Sequence, residues 1–242
     1  RHRGKSAGGL YGDVIEAVDE SVGKLLDCLT ELKLDDRTLV IITSDNGPWL
    51  TKGEHGGSAT PLRGGKGGTY EGGQRVPCIM RWPGTIPAGT ICRELATQMD
   101  LLPTVASFAG AALPQDRRID GTDIAPLMLG KAGATLPHES FFYYNGNRLA
   151  AVRSGQWKLK VPTQLREEFS DYVKLDNPDT IIPRALYNLA NDPGEQKSVL
   201  ADHPDVAMRL QAMIESARED LGDSRRNVVG KNVRPIGEIA GN

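Results

Sequence analysis

The chain has 242 residues, a formal net charge of −2 and a charged fraction of 25%, with acidic and basic residues close to balance. This balance argues against a nucleic-acid partner, because such surfaces carry a strong excess of lysine and arginine. The length allows one large domain or two small ones, and no apolar run reaches the roughly 20 residues that a membrane-spanning helix needs.

The first half of the sequence predicts helices alternating with strands. Residues 39–43 are apolar on both faces and predict an interior strand covered by helices on both sides. Residues 47–73 predict a long ordered loop, which in a compact domain is usually functional. Residues 76–82 predict a second strand, and Asp100 begins a predicted helix that ends at Gly110. An earlier helix is indicated by apolar residues at helical spacing: Tyr11, Val14, Ile15, Val18, Val22, Leu25, Leu26, Leu29 and Leu32.

The second half of the sequence predicts an antiparallel sheet. Short apolar runs at residues 141–144, 149–153 and 157–161 are separated by Asn-Gly-Asn and Ser-Gly-Gln turn signals. Residues 185–189 predict a fourth strand, and the apolar spacing over residues 206–217 predicts a helix. We therefore expect an α/β core followed by a smaller subdomain of antiparallel sheet plus helix.

The cysteines give no sign of a disulfide framework or a metal site. Cys28, Cys78 and Cys92 are odd in number and lack the spacing of metal ligands. Cys28 and Cys78 fall within apolar periodic segments, so we expect both to be buried free thiols.

Two oxygen-bearing side chains, Asp45 and Asn46, closely follow the first predicted strand. Carboxylate and amide oxygens are the ligands that hard cations such as Ca²⁺ and Mg²⁺ prefer, whereas Zn²⁺ favours nitrogen or sulfur. The sequence Asp-Asn-Gly-Pro is also common in turns, so the residues alone leave a metal site and a simple turn both open.

Lys66 is flanked on both sides by pairs of glycines. Backbone without Cβ atoms can approach a bound anion closely, and the lysine ammonium supplies a compact charge for sulfate or phosphate oxygens. The segment does not match the nucleotide-binding P-loop. A solvated lysine in a flexible loop is the alternative reading.

His55 is a further candidate for the site, whereas structural roles are expected for Glu71 and Asp100. His55 lies between Asn46 and Lys66 and could contact substrate or an acid–base partner, with a plain surface histidine as the alternative. For Glu71 we expect a structural role through a pair with Arg63 or Arg75. Asp100 is expected to cap its helix.

An ordered set of short motifs covers nearly the whole chain. They are Tyr11-Gly12-Asp13, Ser44-Asp45-Asn46-Gly47-Pro48, Leu62-Arg63-Gly64-Gly65-Lys66-Gly67-Gly68-Thr69-Tyr70-Glu71-Gly72-Gly73, Arg75-Val76-Pro77, Trp82-Pro83-Gly84, Asp100-Leu101-Leu102-Pro103-Thr104, Asp120-Gly121-Thr122-Asp123, Gln156-Trp157-Lys158-Leu159 and Leu186-Tyr187-Asn188-Leu189. Each motif is modest alone, but the ordered set is specific. In this order the motifs resemble those of the formylglycine-dependent sulfatases of arylsulfatase A type.

The resemblance implies an alkaline-phosphatase-like α/β fold, here partial, with a smaller C-terminal antiparallel subdomain. It predicts that residues 1–136 are the C-terminal part of the catalytic core and that residues 137–242 are the subdomain and tail. It also implies that Asp45 and Asn46 bind Ca²⁺, or alternatively Mg²⁺, and that Lys66 contacts the sulfate.

In this family the nucleophile is a hydrated formylglycine, made from the first residue of a Cys/Ser-x-Pro/Ala-x-Arg motif. No cysteine or serine of this chain begins such a motif. We therefore expect the chain to be the C-terminal portion of a sulfatase, completed by a missing N-terminal portion that holds the formylglycine. Alone, the fragment is expected to be inactive.

The implied activity is hydrolysis of a sulfuric ester, with a small-molecule or carbohydrate sulfate ester as substrate. One alternative is a phosphodiesterase or phosphonate hydrolase of the same superfamily, which commonly shows Asp-His in place of Asp45-Asn46. Another is a non-catalytic sulfate-binding fragment. Family members are mostly exported or lysosomal, which favours the periplasm, the extracellular space or the lysosome.

Overall fold

The structure, a computed structural model, describes residues 1–134, 138–169 and 176–234. Its internal contacts divide the chain into two compact units. The first unit comprises Arg1–Asp45 and Val76–Glu139, and the second comprises Asn46–Arg75 and Ser140–Asn242. The predicted boundary between residues 136 and 137 lies outside the described residues.

Six α-helices, eight strands and four 3-10 helices occur in the described residues. The helices are α1 (Gly9–Glu31), α2 (Glu71–Gln74), α3 (Leu101–Ala109), α4 (Ala125–Met128), α5 (Leu165–Phe169) and α6 (Pro204–Leu221). The strands are β1 (Val40–Thr43), β2 (Cys78–Arg81), β3 (Phe141–Asn145), β4 (Arg148–Ser154), β5 (Trp157–Lys160), β6 (Thr163–Gln164), β7 (Ile181–Ile182) and β8 (Ala185–Asn188). Short 3-10 helices occur at Asp35–Arg37, Leu50–His55, Gln98–Asp100 and Ser224–Arg226.

The first unit contains the predicted helices, but its strands differ from the prediction. Strand β1 pairs antiparallel with β2, with Val40 opposite Arg81 and Thr43 opposite Cys78. Within the described residues these two strands form a sheet of their own, and no residue of β1 is buried. The prediction of an interior strand is therefore wrong for this unit. An interior strand is paired along both edges and covered on both faces, whereas β1 is paired along one edge in the described residues and none of its side chains is buried.

The expected burial of two cysteines is also wrong. Cys28 and Cys78 are exposed, as is Cys92. Cys28 lies on α1, where Asp13 is the one fully buried residue, and most of the apolar stripe of this helix is exposed. Hydrophobic spacing predicted the helix correctly, but it does not report whether anything covers the apolar face.

Asp100 has a structural role, as expected, but its side chain does not cap α3 and instead forms a capping box with Thr97 at the preceding 3-10 helix. Its carboxylate accepts hydrogen bonds from the backbone N–H of Thr97 at 2.7 Å and of Thr122 at 2.8 Å, and it lies 2.7 Å from Nε2 of His138. Burial raises the pKa of this carboxyl, but the two amides and His138 outweigh burial and lower it. The helix α3 that follows ends at Gly110, which has a φ of 65°.

The second unit contains the predicted antiparallel sheet, with strand order β3-β4-β5-β8. One face of this sheet packs against α6 and forms an apolar core. The fully buried side chains of this core include Leu149, Val152, Leu159, Leu186, Leu210 and Ile214. This face is what the alternating apolar pattern predicted.

The opposite face of the same sheet is equally buried and carries charged side chains among apolar ones such as Ala185 and Tyr187. Because side chains alternate along a strand, Lys158 and Lys160 of β5 point away from Leu159 and its apolar neighbours. Both lysines are completely buried. They lie against residues 62–73, which we call the glycine-rich segment, and within it Thr69 and Glu71 are also buried.

Glu71 is the centre of the contact between this segment and the sheet. Its carboxylate accepts hydrogen bonds from the Tyr143 hydroxyl at 2.6 Å, Lys158 Nζ at 2.9 Å and Arg153 Nη1 at 3.0 Å. The expected pairing of Glu71 with Arg63 or Arg75 is therefore wrong. The partners come from strands about 70 to 90 positions further along the chain, a distance that local sequence cannot reveal.

Arg63 has a different role from the one predicted. Its Nη1 donates to the Glu195 carbonyl oxygen at 3.1 Å, and its guanidinium lies 4.2 Å from the centroid of the Tyr70 ring. Arg63 thereby connects the start of the glycine-rich segment to the turn that follows β8.

The partners of Glu71 decide its protonation. Burial alone would raise the pKa of Glu71, but the Lys158 ammonium, the Tyr143 hydroxyl and the Arg153 guanidinium outweigh burial and hold it at about 2, below the ordinary 4.5. Burial likewise opposes the charge on Lys158, but Glu71 is the largest of the effects that raise its pKa. Both groups are therefore ionised at neutral pH.

The apolar face of the sheet yields a stability prediction. Leu210→Ala should lower the free energy of unfolding by about 2–5 kcal/mol, because it removes a completely buried side chain between α6 and the sheet. Urea denaturation of the chain measures this change. Met208→Ala, on the same helix but 73% exposed, is the matched control and should change stability by less than about 0.5 kcal/mol. Equal losses for the two variants would contradict the described packing of α6.

The polar face yields a pH prediction. Because the pKa of Glu71 is about 2 in the folded chain against 4.5 ordinarily, its stabilisation is fully present above pH 4.5 and is lost as the pH falls towards 2. The shift corresponds to on the order of 3 kcal/mol. Glu71→Gln should flatten the acid limb of stability against pH, measured by urea denaturation at a series of pH values.

The pH experiment compares the stability of the Glu71→Gln variant with that of the unmodified chain at each pH. Burial raises the pKa of Glu195 and the Glu71 carboxylate raises it further, so in the unmodified chain the contribution of Glu195 lies above pH 4.5 and outside the acid limb. Glu219→Gln, at an exposed glutamate of the same unit, is the control and should retain the full acid limb. An acid limb in Glu71→Gln as steep as in the unmodified chain would refute the prediction.

Candidate functional site

The predicted metal ligands Asp45 and Asn46 lie just beyond the end of β1. Asp45 is exposed and Asn46 is partly buried. The next residue, Gly47, donates its backbone N–H to the carbonyl oxygen of Gly73 at 3.1 Å. The chain that leaves the Asp-Asn pair therefore runs directly against the end of the glycine-rich segment.

Two glycines are required by this close backbone contact. A Cβ at Gly47 would lie 1.8 Å from the carbonyl oxygen of Gly72, and a Cβ at Gly73 would lie 2.4 Å from the carbonyl oxygens of Gly65 and Gly68. Any side chain at either position would force the backbone apart. The glycines in this part of the chain thus serve tight packing of backbone on backbone.

Lys66 lies at the exposed tip of the glycine-rich segment. Its backbone N–H donates to the carbonyl oxygen of Pro48 at 2.9 Å. Its Nζ lies 5.4 Å from the centroid of the Trp49 ring, and Lys52 Nζ lies 4.5 Å from the same ring. Two ammonium groups therefore flank an indole that is 47% exposed, an arrangement that suits an anionic ligand.

His55 is the last residue of the 3-10 helix Leu50–His55 that also carries Lys52. Its side chain is 52% exposed, and its Nε2 lies 3.7 Å from the carboxylate of Glu54. The structure places His55 in the same unit as Asn46 and Lys66, on the surface of the segment that joins them.

Sequence reasoning missed the residues that fix Thr69, three positions after Lys66. The backbone N–H of Thr69 donates to Glu168 Oε2 at 2.7 Å, and its carbonyl oxygen accepts from Lys158 Nζ at 2.8 Å. Its hydroxyl oxygen accepts from Lys160 Nζ at 2.7 Å. The available signal was the alternation Trp157-Lys158-Leu159-Lys160, which puts both lysines on one face of a strand.

The donor set at Asp45 and Asn46 fits part of a hard-cation site. One carboxylate and one amide oxygen are suitable ligands for Ca²⁺ or Mg²⁺, but Ca²⁺ takes about six to eight oxygens. Across residues 1–134, 138–169 and 176–234, no group of three or more His, Cys, Asp and Glu side chains is placed to hold a metal ion. The two residues can therefore supply only some of the ligands.

None of the helices in the described part of the chain is long and apolar enough to span a membrane.

Two family models match the chain. One, for sulfatases, covers residues 5–111, and the other, described as the C-terminal region of aryl-sulfatase, covers residues 136–238.

Curated relatives are similar over most of this chain. The N-acetylgalactosamine-6-sulfatase of Canis lupus familiaris is 37% identical over 250 residues, covering 95% of this chain and 47% of that protein. Arylsulfatase A of Bos taurus is 40% identical over 87% of this chain and 43% of its own length. Steryl-sulfatase of Homo sapiens is 49% identical over 69% of this chain and 29% of its own length. The chain thus spans about half or less of the length of these relatives.

Solved structures share the fold. A Bacteroides thetaiotaomicron protein, described with the metabolism of multiple glycosaminoglycans, has a TM-score of 0.73 at 32% identity and covers 90% of this chain and 46% of its own. A Pseudoalteromonas sp. sulfatase has a TM-score of 0.73 at 26% identity, covering 84% of this chain and 41% of its own. The phosphonate monoester hydrolase of Agrobacterium radiobacter, at 22% identity and a TM-score of 0.59, covers 86% of this chain and 40% of its own and shows the fold alone.

These matches confirm the resemblance that the ordered motifs indicated and the fold class that it implied. The structure is mixed α/β with antiparallel sheets, and its structural neighbours are sulfatases and alkaline-phosphatase-like hydrolases. With two sulfatase models matched and relatives 37–49% identical over most of its length, the chain belongs to the sulfatase family.

Proposed function

We propose that the protein containing this chain is a sulfuric ester hydrolase of arylsulfatase type. The observation that carries this proposal is the placement of Lys66, whose backbone is hydrogen-bonded to Pro48, two residues after Asn46. A cation suited to sulfate oxygens and the hard-cation ligand Asn46 thus share one packed piece of backbone. The substrate would be a small-molecule or carbohydrate sulfate ester.

Asp45 and Asn46 would hold Ca²⁺, or alternatively Mg²⁺, together with ligands from elsewhere in the protein. The bound cation would supply positive charge beside the sulfate oxygens. Lys66 would bind the sulfate group, orient it and stabilise the negative charge that develops on its oxygens as the alcohol leaves. His55 would contact the substrate from the 3-10 helix that follows Trp49.

The nucleophile is proposed to lie outside these 242 residues, because no cysteine or serine here begins the formylglycine motif. The exposed surface of α1 supports this location, because it could pack against the part of the protein that holds the nucleophile. Monomeric proteins seldom leave a whole apolar stripe in water, so this face suits packing against further sulfatase sequence. The exposed apolar residues of α1 are Leu10, Tyr11, Val14, Ile15, Val18 and Leu25.

A phosphodiesterase or phosphonate hydrolase activity is the second candidate, supported by the shared fold of the Agrobacterium radiobacter enzyme. Asn46 argues against it, because Zn²⁺ chemistry favours a nitrogen ligand such as histidine at this position. Tight Zn²⁺ binding together with faster hydrolysis of a phosphonate ester than of an aryl sulfate would favour this candidate. Sulfate binding without any turnover would favour a non-catalytic module.

The isolated 242-residue chain should not hydrolyse an aryl sulfate, even with saturating Ca²⁺, because it lacks the expected nucleophile. Release of the phenol from a chromogenic aryl sulfate measures this directly. Turnover by the pure chain above the rate of a heat-denatured sample would overturn the proposed location of the nucleophile.

In the protein that contains this chain with the rest of the sulfatase fold, Lys66→Ala should lower kcat/KM for an aryl sulfate by about a hundred- to a thousandfold. The reason is the loss of a charge that stabilises the departing negative charge. Lys197→Ala, at an exposed lysine of the same unit, is the control and should keep full activity. A Lys66→Ala protein as active as the control would exclude the proposed sulfate contact.

A further inference from the structure

Two completely buried lysines of β5, Lys158 and Lys160, bind the glycine-rich segment from the side of the sheet. Lys158 Nζ donates to the Thr69 carbonyl oxygen at 2.8 Å and to Glu71 Oε1 at 2.9 Å. Lys160 Nζ donates to the Thr69 hydroxyl oxygen at 2.7 Å and to Glu168 Oε1 at 2.8 Å. Thr69 and Glu71 are thus both bound by ammonium groups of a single strand.

Carboxylates of the second unit complete this cluster. Glu168 Oε2 accepts the Thr69 backbone N–H at 2.7 Å, and Glu195 Oε2 accepts the Glu71 backbone N–H at 2.6 Å. Glu195 Oε1 lies 3.0 Å from Lys158 Nζ, close enough for an ion pair although it has no hydrogen-bond geometry. The backbone from Thr69 to Glu71 is therefore fixed on both its donor and its acceptor sides.

The strand that carries the lysines is held on both edges. Strand β5 lies between β4 and β8, with Lys158 opposite Arg153 on one side and Tyr187 on the other. Its Leu159 is buried in the apolar core beneath α6. The lysine ammonium groups consequently have little freedom to follow the segment if it moves.

The connection from this cluster to Lys66 is short and tightly packed. Gly68 donates its backbone N–H to the Gly65 carbonyl oxygen at 3.0 Å, which closes a turn around Lys66. Lys66 in turn donates its backbone N–H to Pro48. A displacement of Thr69 would therefore move the base of the turn that presents the Lys66 side chain.

A completely buried lysine is unusual on the face of a β-sheet unless it has a structural or functional role. An apolar residue at these positions would complete an ordinary core, whereas a buried charge has to be matched by partners in one specific geometry. Here each lysine completes its set of partners only when Thr69 occupies its observed position, so the charges favour one conformation of the segment.

We propose that Lys158 and Lys160 are positioning residues for Lys66, holding the glycine-rich segment in the one conformation that presents the Lys66 ammonium to a sulfate group. This inference rests on the proposed sulfate contact of Lys66. The buried face of β5 would in this way connect the C-terminal sheet directly to the candidate site.

The first test measures the segment itself, by hydrogen–deuterium exchange of the complete protein. In Lys158→Met, the amides of residues 62–73 should exchange at least about tenfold faster while those of α6 stay protected, because only the polar face is disturbed. Leu159→Ala is the matched control on the same strand and should instead accelerate exchange in α6. A segment as protected in Lys158→Met as in the unmodified protein, or equal loss in both regions, would overturn the proposal.

The second test measures Lys66 directly. An amine-reactive reagent labels Lys66, and inorganic sulfate should protect it from labelling, as followed by mass spectrometry of the digested protein. Lys158→Met should need at least about tenfold more sulfate for half-protection, whereas Leu159→Ala should need no more than the unmodified protein. Unchanged protection in Lys158→Met would overturn the positioning role.

A milder variant keeps the proposal testable if Lys158→Met does not fold. Thr69→Val preserves the shape of the side chain but removes the hydroxyl that Lys160 binds, and it should produce the same two changes in smaller measure. No change in either measurement would count against the proposal. If sulfate fails to protect Lys66 in the unmodified protein, the proposed sulfate contact is wrong, while the exchange experiment still decides whether the two lysines hold the segment.

Discussion

The ion pair between Lys158 and Glu71 is the contact on which the arrangement of the second unit depends. Both side chains are almost completely inaccessible to solvent, and each has partners that leave it charged at neutral pH. Removing Lys158 would leave the buried Glu71 with Arg153 as its remaining ionic partner. Removing Glu71 would leave the buried Lys158 with Glu195. Breaking a buried ion pair in this way costs up to about 3–5 kcal/mol in proteins. The glycine-rich segment and the sheet are therefore bound to one geometry, since neither can bury its charges without the other.

This constraint explains why the sheet has two different buried faces. On the side of α6, Leu159 and Leu186 form an ordinary apolar core. On the other side, Lys158 and Lys160 meet a segment whose glycines allow backbone to pack on backbone. An apolar core tolerates small shifts of its members, whereas a set of directed charge contacts does not. The more specific face is the one that supports the candidate site.

The first unit differs in that its described surfaces are only partly covered. Helix α1 exposes its apolar stripe, and β1 has β2 as its one paired neighbour among the described residues. The chain spans 47% of the length of the canine N-acetylgalactosamine-6-sulfatase that it resembles. These observations support the proposal that further sulfatase sequence packs against the first unit and supplies the nucleophile and the remaining metal ligands.

The sequence by itself determined the three longer helices α1, α3 and α6, the C-terminal hairpins, the sulfatase family and the candidates Asp45, Asn46 and Lys66, because periodicity, turn residues and ordered motifs are local signals. Only the tertiary structure decided which apolar faces are covered, so the burial of Cys28 was predicted wrongly. It also decided the partners of Glu71, since Lys158 lies 87 positions away. Contacts between residues this far apart in the sequence depend on which surfaces pack together when the chain folds, and local sequence patterns do not indicate this.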